Sequence, residues 1–441
     1  MKINYFVLQD MSASQIEGLY RRTAVDFSDL MSQVKPLIDD VRIRGDAAVR
    51  DLIKLFDRAD MDPSAFRVPL EEMDRAVRDL PDNLREALEV SIANIRKFHE
   101  RQAEPETWEM EIMPGIWAGE KVIPLAAVGL YIPRGKGSFP SMMMMAGVPA
   151  RVAGVKKIVV ATPPDRSGKA DMATIAAARM IGIDTVFAVG GVQAIAALAF
   201  GTETIPRVDK IVGPGSGYVL AAKQLLASEV DTGLPAGPSE AIVLADDSAD
   251  PLTAIVDLLI EAEHGPDSSA YLVTTDPELA RKALQLIPQQ LKALPEDRRS
   301  FCEAVLSSSG GVVLAPSLDA AVEFINGFAP EHLHVLTREP EEVLDRIKYA
   351  GEVLIGPYTP GTLANYSIGP NAILPTSGFA RTASALSVRD FTRRMSFSRV
   401  SAEGFQDLAP KTLVLARYEG FAAHAAALEH RLEKDWPPPK T

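Results

Sequence analysis

Beyond position 156 the chain repeats one unit, a short apolar run followed by a stretch of helical periodicity, and this repetition restricts the fold more than any other feature. The runs 157–161, 184–189 and 209–212 form a first series. A second comprises 241–244, 271–274, 311–314, 334–336 and 353–355. Strands joined through helices must run parallel, and a parallel sheet needs helices over both faces. The expected class is α/β, with two Rossmann-like parallel-sheet domains. Before these units, 26–102 carries apolar residues at helical spacing (Leu30, Val34, Ile38, Val41, then Ala87, Val90, Ile95). Short strands follow at 109–113, 116–123 and 127–132, punctuated by Pro114, Gly115, Pro124 and Pro133.

These patterns suggest an N-terminal arm at 1–25 and a first α/β domain from 26–128 with 240–378, the helices included. A dinucleotide-binding α/β domain would occupy 129–239. The remainder, 379–441, holds a basic patch at 389–399 and a terminal helix over about 418–434. It looks too small to fold alone and is expected to pack on another domain or subunit.

The 441 residues are 47% hydrophobic, enough for several cores, and their net charge of -13 repels phosphate backbones and anionic lipid. Nucleic acid and membrane are therefore not expected partners. No apolar run approaches membrane length and the N-terminus lacks a secretory pattern, so a cytoplasmic location is expected. The single cysteine, Cys302, excludes an intrachain disulfide and reads as a packed thiol.

Two glycine turns follow strands: Val189-Gly190-Gly191-Val192-Gln193 and Val212-Gly213-Pro214-Gly215-Ser216-Gly217. A glycine turn that opens a helix offers backbone N–H groups to a pyrophosphate, although a tight turn alone needs the same residues. Arg134-Gly135-Lys136-Gly137 places two cations just past a strand, as an anion site or as a solvated loop. Glu261 and His264 lie on one helical face, three residues apart, and can share a metal ion. Glu331-His332, directly before a strand, pairs a carboxylate with an imidazole that titrates near neutral pH. Taken alone, the Glu261/His264 spacing recurs by chance in many helices, and Glu331-His332 reads more simply as an exposed loop pair. His99, His334 and His430 read as packing or surface residues.

Four stretches, in order, resemble the histidinol dehydrogenase family: Gly190-Gly191-Val192-Gln193-Ala194-Ile195-Ala196-Ala197, Pro235-Ala236-Gly237-Pro238-Ser239-Glu240, Ala262-Glu263-His264-Gly265-Pro266-Asp267-Ser268 and Ala329-Pro330-Glu331-His332-Leu333. The resemblance implies two NAD-dependent hydride transfers, alcohol to aldehyde and aldehyde hydrate to acid, in a zinc site shared across a homodimer. By position it implies Glu331 as activator of water and His332 as general base. Tyr131, Gln193, Gly213, Gly215 and Ser216 would line the NAD site, with Ser216 where the family usually has Asn. Ser239 and Glu419 would touch substrate.

The implied zinc ligands Gln, His, Asp and His read here Glu261, His264, Asn365 and His424, so amide and carboxylate have traded places and the ligand charge is kept. A substrate-holding histidine is replaced by Ala372, and Arg134 stands where the family usually has Gly. Histidinol is the leading expected substrate; another polar or anionic alcohol, such as a sulfonated diol, is the alternative. A metal-dependent hydrolase is a second class that would use the same Glu and His donors.

Overall fold

The computed structural model describes residues 2–21, 27–103, 107–134 and 137–434. Gly135 and Lys136 of the cationic loop lie outside these residues. The described strands are β1 (Tyr5–Val7), β2 (Thr107–Met113), β3 (Ile116–Pro124), β4 (Ala127–Tyr131), β5 (Lys157–Ala161), β6 (Val186–Phe187), β7 (Lys210–Val212), β8 (Glu240–Ala245), β9 (Ser269–Thr274), β10 (Gly311–Leu314), β11 (His332–Leu336), β12 (Glu352–Ile355) and β13 (Thr392–Val400). The chain divides into two compact units. One contains 1–103 with 125–391, and the other 104–124 with 392–441.

The larger unit holds two wholly parallel sheets, in the orders β1-β10-β9-β8-β11-β12 and β6-β5-β4-β7. Leaving aside β1, each starts with an inner strand (β8 or β4), winds outward to one side, then crosses to the other. This reversal is the doubly wound pattern. Both faces are covered. In β8, Val243 and Ala245 enter one apolar cluster while Ile242 and Leu244 enter another on the opposite face, as the two-residue side-chain period requires.

The arm is not a free extension. β1 pairs with β10 at the edge of the six-stranded sheet. Val34 and Ile38 (helix Phe27–Arg44), Ile53 (Asp46–Phe56), Met73 (Leu70–Asp79) and Ile95 (Asp82–Gln102) share one core with Leu130, Val159 and Ile195 of the four-stranded sheet and its helices. A sheet of four short strands buries little by itself, and these apolar stripes complete its core. Within the larger unit, the helices of 27–102 thus pack on the four-stranded sheet.

The smaller unit is an antiparallel sheet β13-β3-β2 with two helices, Ala402–Tyr418 and Ala422–Leu432, in place of one terminal helix. The basic patch is mostly strand: Arg399 of β13 forms a two-pronged ion pair with Glu109, both contacts 2.9 Å, and stacks over Trp117. Distant segments 107–124 and 392–400 thus make one sheet. Among the described residues no helix is long and apolar enough to cross a membrane.

Candidate active site

A parallel strand covered on both faces should be apolar throughout, yet β11 reads His332-Leu333-His334-Val335-Leu336. Leu333 and Val335 fill the core on one face. His332 and His334 face the helix Pro251–Ala262, where Glu261 and Asp257 meet them. His332 Nε2 lies 3.9 Å from Glu261 Oε1, and His334 Nδ1 lies 3.4 Å from Asp257 Oδ2. Asp257, Glu261 and His264 recur at helical spacing and form one polar stripe. Because this helix runs back against the strand direction, its C-terminal end returns to the amino-terminal edge of the sheet. Glu240, His332 and Glu352 begin β8, β11 and β12 at that same edge.

Glu331 and His332 are both buried and sit 3.9 Å apart. Glu331 Oε2 accepts the backbone N–H of Glu240 at 2.9 Å, and Glu240 Oε1 accepts that of Ser377 at 2.8 Å. Burial lifts the Glu331 carboxyl well above its ordinary range; His332 and the hydrogen bond from the Glu240 N–H pull it back, while the Glu261 charge reinforces the rise. For His332, burial opposes the charge, but Glu261, Glu352 and Glu331 outweigh it and push the imidazole up to about 9. Glu261 shows the reverse balance. Burial raises its carboxyl, yet His332, His264 and the Asn365 amide together hold it below the usual value.

Glu261, His264 and Asn365 converge. Asn365 Nδ2 donates to Glu261 Oε1 at 3.0 Å, and His264 Nε2 lies 3.5 Å from Glu261 Oε2. Donors around a tetrahedral zinc at about 2.1 Å stand roughly 3.4 Å from one another, so these separations suit a shared cation. Glu261 also ends a helix, where both the dipole and burial disfavour its negative charge. Among the described residues no three of His, Cys, Asp and Glu form a metal-holding group; here the third donor is an amide, whose oxygen faces the same point after a side-chain flip. The set fits a divalent ion. His424 and Glu419 are exposed residues of the smaller unit.

A second site lies at the carboxyl edge of the four-stranded sheet. The Gly191 N–H donates to the Tyr131 hydroxyl at 3.1 Å, and Gln193 Nε2 lies 3.5 Å from Asp57 Oδ2. Gln193 Oε1 and Thr162 Oγ1 are buried there without hydrogen-bond partners. The helices Gly191–Phe200 and Gly217–Leu225 begin at this edge, and neither receives a side-chain cap, from Gly190 or from the exposed Ser216. Apart from the Gly191 N–H, which Tyr131 takes, the first turns of these helices have no side-chain cap and suit an anion. Gly213 is required: at φ +123°, a Cβ would lie 2.0 Å from the Tyr131 carbonyl oxygen. Gly215 is similarly crowded by Val219. These features fit a dinucleotide.

Arg134 lies just past β4. Its guanidinium donates to the Lys169 carbonyl at 2.8 Å and lies 3.8 Å from Asp165. Ala372 is buried in the core of the four-stranded sheet, beside Asn371, which donates to the Met145 carbonyl and meets His99. Ser239 is half-buried just before Glu240, and its carbonyl accepts the Ser269 N–H. His99 is packed as expected. His334 is not an ordinary packing residue, since neither ring nitrogen has a hydrogen bond. Glu352, Asp57 and Thr162 escaped the sequence reading; the His-Leu-His alternation inside a doubly covered strand was the signal for the neighbourhood of Glu352.

A family model described as histidinol dehydrogenase matches residues 20–432. This chain belongs to the histidinol dehydrogenase family. It is 49% identical to a Synechocystis protein named histidinol dehydrogenase, over 96% of this chain and 98% of the relative. It is 48% identical to a histidinol dehydrogenase homolog from Colwellia psychrerythraea, over 97% and 96%. The crystal structure of histidinol dehydrogenase from Elizabethkingia anophelis superposes with a TM-score of 0.92 at 35% identity, covering 98% of each chain. Membership of the histidinol dehydrogenase family makes this chain an enzyme of an NAD-dependent oxidoreductase family, with alcohol and aldehyde dehydrogenation as its class of activity. It leaves the hydrolase alternative without support.

Proposed function

We propose that this enzyme oxidises a primary alcohol through the aldehyde to the carboxylate, using NAD and zinc, with L-histidinol as the first substrate to test. The observation that carries this reading is the buried Glu331–His332 pair beside a carboxylate, an imidazole and an amide that suit a cation. When bound, NAD accepts hydride at its nicotinamide, and zinc polarises the substrate oxygen and offsets the Glu261 charge that holds a proton on His332.

The chain's own residues handle the protons. Hydride leaves the carbinol carbon while the hydroxyl proton passes to His332 Nε2, leaving an aldehyde. Water then adds to the aldehyde; Glu331, whose raised pKa brings a carboxylate nearer to neutral-pH base strength, takes a proton from that water, and the carbonyl oxygen takes the proton that His332 carries, which frees Nε2 for the next step. A second hydride transfer from the hydrate, with loss of its hydroxyl proton, gives the acid. Glu261, His264 and Asn365 would hold zinc, with His424 as the fourth donor. Tyr131, Gln193 and the 213–217 turn would hold NAD, and Ser239 and Glu419 substrate. We place the enzyme in the cytoplasm as a homodimer with shared sites, because His424 and Glu419 are exposed on a separate unit.

A second reading rests on the resemblance alone, which puts Ala372 where a substrate-holding histidine is expected; Arg134, which meets Asp165 and the Lys169 carbonyl, adds no unpaired cation. A polar pocket that loses one hydrogen-bonding partner can change preference by orders of magnitude. On this reading the substrate is another polar or anionic alcohol, such as a sulfonated diol. The test is NADH formation with histidinol, a sulfonated propanediol and related alcohols. Two NADH per histidinol supports the first reading, preference for an anionic alcohol the second, and no reduction of NAD by any of them rejects both.

A further inference from the structure

His332 uses one ring nitrogen toward the proposed reaction centre, and the other determines how it does so. Nε2 faces Glu331 and Glu261. Nδ1 points the opposite way, toward β12. His332 and Glu352 are register partners at the start of two adjacent parallel strands, so their side chains leave the same face side by side. Glu352 Oε2 lies 3.5 Å from His332 Nδ1, and the side chains are only 9% and 3% exposed. Among the described residues neither atom has a hydrogen-bond partner, and the 3.5 Å approach to the other is the polar contact each has. Two buried polar atoms, one acceptor-only and one able to donate, are thus left solely to each other.

The backbone holds the pair in place. The Glu352 N–H donates to the Glu331 carbonyl at 2.9 Å, and Gly351 donates to Pro330. The starts of β11 and β12 are therefore locked together through the residues that precede and contain the pair. At Gly351 even a methyl group would come 2.6 Å from the Glu331 carbonyl oxygen.

We propose that Glu352 is the positioning residue of His332: its buried carboxylate accepts the Nδ1 proton, fixes the tautomer that leaves Nε2 free to take the substrate proton, and stabilises the imidazolium that results. Carboxylate, imidazole and proton-bearing substrate then stand in a line, an arrangement that recurs wherever a buried acid orients a histidine base. The role rests on the proposed alcohol oxidation, but the pairing does not.

The test has a kinetic and a spectroscopic arm. Glu352→Ala should lower kcat roughly 10- to 100-fold, the usual cost of removing an outer partner of a functional histidine, with KM little changed. Glu352→Gln keeps the side-chain volume and should melt like the wild type, yet still lose kcat, because a neutral amide holds the Nδ1 proton less strongly and balances no imidazolium. Glu352→Asp should recover part of the loss. By proton NMR, the wild type should show a low-field, slowly exchanging imidazole N–H signal that disappears in both Glu352→Ala and His332→Gln. Wild-type kcat in Glu352→Ala, or a low-field signal insensitive to Glu352, overturns the proposal. If the wild type reduces no NAD with any alcohol, the functional reading fails, and the NMR signal alone decides the pairing.

Discussion

The Lys223 ammonium donates to the Gly213 carbonyl oxygen at 2.5 Å in the interior of the larger unit. The helix Gly217–Leu225 thereby reaches back and holds the glycine turn from which it starts. Burial lowers the Lys223 pKa to about 8, with Asp231 opposing the drop and Lys210 adding to it. The sign follows from proton uptake. Below pH 8 the lysine is charged in both folded and unfolded chains, and the folded state bears the full cost. Between about 8 and 10.5 the unfolded chain binds more protons, so this cost is relieved as pH rises. Wild type measured against Lys223→Met should therefore gain stability, by roughly 3 kcal/mol, across that window in urea denaturation at stepped pH. A flat difference would show that burial does not lower the Lys223 pKa in the fold.

Gly213→Ala should destabilise the protein by about 3 kcal/mol or more, from strained φ together with overpacking against Tyr131. The expected readout is a lower urea midpoint and weaker NAD binding. A variant as stable as the wild type would contradict the close approach.

The exchanged metal donors can be exchanged back. Glu261→Gln alone removes the only carboxylate of the proposed set and should leave purified protein depleted of metal. Glu261→Gln with Asn365→Asp restores one carboxylate on the opposite donor and should restore metal content. Elemental analysis checks both; equal metal in the single variant would remove Glu261 from the ligand set.

Glu331→Gln should fold at least as stably as the wild type near neutral pH, because burial already disfavours the charged carboxyl. It should still stop the second oxidation, so that aldehyde accumulates at one NADH per alcohol. Continued acid production would exclude Glu331 as the activator of water.

Cys302 is wholly buried, and burial, aided by Glu263, pushes its thiol up to about 12. It should resist thiol reagents in the native enzyme and react fully in denaturant. Rapid native labelling would show that the helix Glu296–Ser307 opens.

The sequence by itself determined the class of fold, since strand-then-helix repetition admits only parallel sheets with helical cover; β5 and β10 follow from local composition as read, and β2 to β12 otherwise lie within two residues of the reading. It also marked Glu331, His332, Glu261 and His264, because local spacing and short motifs carry them. Only the tertiary structure decided which core received the N-terminal helices, since an amphipathic stripe states that it must be buried but not against what. The joining of β3 to β13 across more than 260 residues was equally hidden, as pairing partners so far apart leave no local pattern. Glu352 is the clearest case: an ordinary glutamate in its own segment, it acquires a partner only because β12 pairs in parallel beside β11 and sets its carboxylate against an otherwise unsatisfied nitrogen of His332.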